Sequence, residues 1–128
     1  MLFAKRVFFW SGVYGLVVLT PMYFLESTLN EVTPPPIVHP EHYYGFVGVA
    51  LAWQVVFIVI SQDPQRYRLL MIPSVLEKLS FGLATWLLFL SGRVPVQPVV
   101  GGTIDLVLAL LFVLAFVRTG HSIGEEGR

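Results

Sequence analysis

Three ionisable side chains, Glu77, Lys78 and Asp105, lie inside stretches otherwise apolar enough to cross a membrane. A charge in hydrocarbon costs about 2.5–3.5 kcal/mol on insertion scales unless it is paired or hydrated. Such residues mark proton, ion or ligand sites, or clamps that hold helices in register. At the rise of a helix, Glu77 falls about 20 Å from the outer end of its segment and the amide of Gln54 about 16 Å from the outer end of its own. These depths allow a Glu77–Gln54 hydrogen bond if the two helices face each other. Lys78 is rotated about 100° from Glu77 and addresses a different neighbour. Asp105, about 9 Å below the outer end of its segment, is within reach of an outstretched lysine. The sequence therefore predicts a structural Lys78–Asp105 ion pair. It leaves Glu77 as a separate, protonated carboxyl, the candidate ligand or proton site, with Gln54 beside it. Pro73, four residues before Glu77, frees the carbonyl of Leu69, and reads either as a kink that opens a cavity beside Glu77 or as a proline tolerated in a membrane helix.

Other chemistry is sparse. His39 and His42 share one side of a helical turn with Glu41 between them, but two imidazoles without a third firm ligand make a weak metal candidate, and no metal is expected. None of the three His lies in an apolar stretch, which disfavours an axially ligated tetrapyrrole. Cys is absent, so thiolate nucleophiles, disulfides and thiolate metal sites are excluded. No Ser-His-Asp order, P-loop, Gly-rich nucleotide fingerprint or His-Glu-x-x-His motif occurs. No catalytic residue is assigned, and the balance is against an enzyme.

Four apolar segments must position these groups, at about Val7–Phe24, Tyr43–Ile60, Tyr67–Leu90 and Val99–Val117. Each approaches the ~20 residues that span a bilayer core. The chain is 55% hydrophobic and only 12% charged, half the share of about 25% usual in soluble domains. Too few polar residues remain to give each helix the wet stripe of a soluble bundle. The expectation is an all-α, four-transmembrane-helix bundle forming one domain over residues 1–128. Lys5, Arg6, Arg66, Arg68, Arg118 and Arg128 fall on one side of it and Arg93 alone on the other, which predicts cytoplasmic termini. The zero net charge offers no field for nucleic acid. No A-x-A site follows the first segment, so a retained helix is expected there.

Local punctuation completes the outline. Asp63-Pro64 and His39-Pro40 read as helix starts, and Ser91-Gly92 and Thr119-Gly120 as glycine stops. Leu25–Pro40 reads as one long loop with polyproline II at Thr33–Pro36, and Gly120–Arg128 as a mobile tail. Small residues mark close contacts: Gly12 and Gly15, Gly48 and Ala52, Ser80 and Ala84.

The stretch HPEHYYGFVGVALAWQVVFIVISQDPQRYRLLMIPSVLEKLSFG, from His39 to Gly82, resembles a group of small bacterial membrane proteins, and Asp105 followed by LVLALLFVLAFVRT extends the likeness. The overall plan is similar to DoxX-like proteins. That resemblance implies a multi-pass four-helix bundle in a bacterial cytoplasmic (inner) membrane, with a link to quinol oxidation as a partner subunit. It transfers no catalytic residue. Three functional classes follow, in order. The first is a non-catalytic subunit or scaffold of a larger membrane complex. The second is a small ligand-binding or proton-coupled transport protein using Glu77. The third is a lipid- or quinone-linked membrane enzyme. Expected partners are the lipid bilayer and either other membrane proteins or further copies of the chain. No cofactor is expected, with a lipid or quinone left open.

Overall fold

The computed structural model describes residues 2–126. Five α-helices follow in order: α1 Leu2–Leu19, α2 Glu26–Val32, α3 Pro40–Gln62, α4 Met71–Leu90 and α5 Gln97–Glu126. Short 3-10 segments, Thr20–Phe24 and Arg68–Leu70, extend α1 and lead into α4. No strand occurs among the described residues. Four helical segments are long and apolar enough to cross a membrane: Leu2–Phe24, Pro40–Gln62, Arg68–Leu90 and Gln97–His121. The chain is an all-α, multi-pass membrane protein, and its outward-facing Val, Leu and Ile side chains meet lipid.

The helices pack as two close pairs, α1 with α3 and α4 with α5. α1 also meets α5, whereas α3 and α4 touch only sparingly. One half of the bundle is dense. Phe8 stacks on Phe112 with ring centroids 4.2 Å apart, and Phe57 meets Phe112 edge-on at 5.0 Å. Ala4, Ile60, Met71 and Ala115 complete this core. The start of α1 and the C-terminal part of α5 therefore lie at the same end. Basic side chains gather there: Arg68 lies 3.7 Å from the Phe116 ring centroid and donates from Nε to the Phe116 carbonyl at 3.0 Å, and Arg118 lies over Phe3 at 4.3 Å.

Several local expectations are corrected. The long loop expected at Leu25–Pro40 contains α2, a two-turn helix held by its surroundings: Tyr44 Oη donates to Glu26 Oε2 at 2.7 Å, and Asn30 Oδ1 accepts from Ile37 N at 2.7 Å. Residues 33–39, with the prolines, are non-helical. α5 does not stop at Gly120 but runs on to Glu126. Gly120 is there because the Arg68 guanidinium lies where its Cβ would be. The described part of the tail is thus helical, and Arg128 lies outside the described residues. Asp63 caps a single turn, accepting from Arg66 N at 3.3 Å, and α4 begins only at Met71. Pro73 is consequently the third residue of α4, in the first turn, where its missing N–H breaks no hydrogen bond within α4.

The close helix contacts also differ in part. Gly12 and Gly15 do abut α3, at the Gln54 carbonyl, Ile58 and the Gln54 side chain. Gly48 abuts the Tyr23 hydroxyl, while Ala52, Ser80 and Ala84 face outward. The close α4–α5 contact is made instead by Gly82 and Gly102. Spacing identified small residues, but which face meets a neighbour depends on how the helices cross.

The Ser91-Gly92 stop is present in full. Gly92 takes φ 76°, its N–H bonds to the Phe89 carbonyl at 3.0 Å, and Arg93 N–H bonds to the Leu88 carbonyl at 2.9 Å. This is a Schellman ending, in which the left-handed residue has no Cβ. Gly92→Ala should therefore lower stability by about 1 kcal/mol, because an L-residue is strained in that conformation. Unfolding in mixed micelles would read this. An unchanged midpoint would mean that the turn does not constrain the native state.

Candidate functional site

The half of the bundle away from the termini is hollow. A cavity of about 300 Å³ runs to mid-bundle from the end of the bundle opposite the N-terminus, between α1, α3 and α5. Its upper walls are apolar, with Val18, Leu19 and Met22 on α1, Phe46 on α3, Phe81 on α4 and Pro98 on α5. Small residues make the space: Gly15, Ala50 and Gly101 all line it. Its polar end is formed by Gln54, Glu77, Lys78 and Asp105. The structure thus brings the four sequence-selected residues to one place, from three different helices.

The contacts among them differ from expectation in two respects. Lys78 Nζ lies 3.5 Å from Asp105 Oδ1, the long limit of a charge-assisted hydrogen bond, and also 3.8 Å from Glu77 Oε2. Glu77 is therefore not separate from the ammonium. The two backbone positions do point apart, but the flexible lysine stem lets its tip return to its neighbour. The Lys78 side chain is 4% exposed, Glu77 17% and Asp105 14%, so all three are largely withdrawn from the surface. Lys78 Nζ also stands 5.1 Å from the Phe57 ring centroid, where the dense aromatic half begins.

Second, the expected Glu77–Gln54 hydrogen bond is not made. Gln54 Nε2 donates to the Ala50 carbonyl at 2.8 Å within its own helix. Because a carbonyl only accepts, this bond settles which end of the amide is nitrogen. It leaves Gln54 Oε1 buried against Gly15 without a hydrogen bond, and Glu77 Oε2 is likewise buried without one, its contact being the 3.8 Å ion pair with Lys78 Nζ. Ser11 Oγ is the other such side-chain atom among the described residues. An unpaired buried acceptor costs about 1–3 kcal/mol, more for a charged group.

Tyr14, Phe46, Phe81, Gln97 and Gly101 complete the lining and were not singled out from the sequence. No signal marks them, since aromatic and small residues in a span serve lipid contact and packing equally well. Trp53 packs on Phe57 at 6.4 Å, and Trp86 Nε1 donates to Thr103 Oγ1 at 3.0 Å. At the start of α3, His39 Nδ1 lies 3.2 Å and His42 Nδ1 3.9 Å from Glu41 Oε1. Ligand atoms of all three residues fall within 4.8 Å of one another, so Glu41 supplies the third donor that spacing alone did not. All three are exposed at the start of α3, where the helix dipole opposes a cation.

No protein-family model matches the chain, and no curated protein or solved structure matches it either.

Proposed function

We propose that this membrane protein binds a small ligand in the outer-half cavity, with Glu77 and Gln54 as the contacting groups. The observation that carries the proposal is a pair of buried acceptors without a hydrogen bond, Gln54 Oε1 and the Lys78-paired Glu77 Oε2, in residues lining one apolar-walled space of about 300 Å³. Ligand pockets combine such walls with a few polar groups that orient the guest. Both open positions are acceptors, so the ligand must donate hydrogen bonds. Two carboxyls share one ammonium, so a positive head group would balance the charge. An amine with an apolar body fits both requirements. Lys78 and Asp105 hold the polar end in place, Lys78 bridging the two carboxyls. Phe8, Phe57 and Phe112 fill the bundle beyond Lys78, which supports a one-ended binding pocket over a through-path for transport. The apolar outer surface is explained by lipid contact, so it does not favour a subunit role. The basic end, with Lys5, Arg6, Arg66, Arg68 and Arg118, is assigned to the cytoplasm by its positive charge.

The absence of Cys provides a direct test, because a single introduced thiol reports without background. Leu19→Cys should react with a water-soluble methanethiosulfonate in reconstituted vesicles, and n-octylamine at about four times its Kd should slow the reaction about fivefold by mass action. Octanoate should not. Adding Glu77→Gln should abolish the protection while leaving the unprotected rate unchanged. Failure of octylamine to protect, or full protection in the Glu77→Gln background, would overturn the assignment.

A further inference from the structure

The cavity is not sealed on its α3–α4 side. A second hollow, of about 450 Å³, follows the seam between these helices past Val49, Trp53, Pro73, Leu76 and Ser80. Phe46, Ala50, Glu77 and Phe81 line both spaces. Each of the two helices packs closely on a different partner, α3 on α1 and α4 on α5, and they meet each other only sparingly. Phe46 and Phe81 face one another at 5.7 Å with ring planes 29° apart, an apolar contact with no hydrogen bond to break. Val49 and Leu76, on the two sides of the seam, are 63% and 62% exposed. At this depth the surrounding solvent is hydrocarbon, since Glu77 lies near mid-span.

We infer that the ligand is a bilayer-resident amphiphile whose single hydrocarbon chain lies in the α3–α4 seam while its amine head reaches Glu77 beside Phe46 and Phe81. The inference deepens the proposed binding function and rests on it. Glu77 is the charged residue common to the two spaces, and its Oε2, ion-paired with Lys78 at 3.8 Å, makes no hydrogen bond. A head group arriving there satisfies that oxygen, and its chain remains in the phase it came from. A purely aqueous ligand would give the seam nothing to hold. A chain moving from lipid to the seam leaves one apolar medium for another and gains little. Selectivity must therefore come from the head group.

The test uses hexadecylamine carrying a mid-chain diazirine, added to the protein in phosphatidylcholine vesicles, with crosslinks mapped by mass spectrometry. Labelling should concentrate on Val49, Trp53 and Leu76 and be displaced by unlabelled hexadecylamine. Ser80→Trp, which fills the seam, should reduce it about tenfold, with folding checked by its elution profile. Hexadecanol and palmitate with the same diazirine serve as controls. Equal seam labelling by palmitate, or labelling that hexadecylamine does not displace, overturns the inference and makes the seam ordinary lipid-contact surface. If octylamine protects Leu19→Cys but the seam stays unlabelled, the amphiphile inference fails and the pocket remains. If octylamine does not protect, the pocket itself fails.

Discussion

Lys78→Met should destabilise the protein by about 3–5 kcal/mol, the range seen when one partner of a buried ion pair is removed. The ammonium contacts both Asp105, at 3.5 Å, and Glu77, at 3.8 Å, and its side chain is 4% exposed. Without it, two carboxyls face each other's charge in a medium that solvates neither. Asp105→Asn should cost less, because Glu77 still neutralises the ammonium. The diagnostic variant is the triple change Lys78→Met, Glu77→Gln and Asp105→Asn, which should recover most of the loss by removing every charge at once. Steric-trap unfolding in bicelles measures all three. A neutral outcome for Lys78→Met alone would show that the cluster is not ionised, and a triple variant no better than the single would show that lysine packing, not charge, matters.

Gly82→Val is the second large effect, expected at about 3 kcal/mol from overpacking. A Cβ at Gly82 would stand 2.8 Å from the Gly102 carbonyl oxygen and 2.7 Å from Leu106. Backbone cannot rotate aside as a side chain can, so α4 and α5 must separate. That separation would also shift Lys78 and Asp105, which sit on the two helices. Gly45→Ala is the matched control: nothing lies within 4 Å of a Cβ there, and the change should be neutral or slightly stabilising. If both glycines tolerated substitution equally, the close α4–α5 contact would be wrong.

Gln54, Glu77, Lys78 and Asp105 were legible in the sequence because the cost of a polar group in hydrocarbon makes them conspicuous among Val, Leu and Phe. Their partners were only half legible. Helical rise and rotation place Cα atoms, and from these Lys78 and Asp105 could be matched. They do not place a lysine tip, which ended between two carboxyls. Gln54 lines the same cavity as Glu77, yet its amide turned to the Ala50 carbonyl of its own helix, a local bond that depth cannot exclude. α2 was hidden because seven residues with prolines after them carry little periodicity, and its anchors, Tyr44 and Ile37, come from outside it. Gly120 resembled a stop, since a glycine late in a helix is more often a cap than a seat for a distant arginine.

The amino-acid sequence by itself determined the membrane class, the number of spans, the glycine ending after Leu90 and the presence of buried charge. These depend on composition and on interactions within a few residues, which period and residue type express directly. Only the tertiary structure decided that the charges form one cluster, that a hollow half stands beyond a dense aromatic one, and that the α3–α4 seam joins that hollow. Those features depend on how far apart helices sit and at what angle they cross. Such distances are set by the summed fit of many side chains such as Gly15, Gly82 and Gly102, and no local pattern contains them.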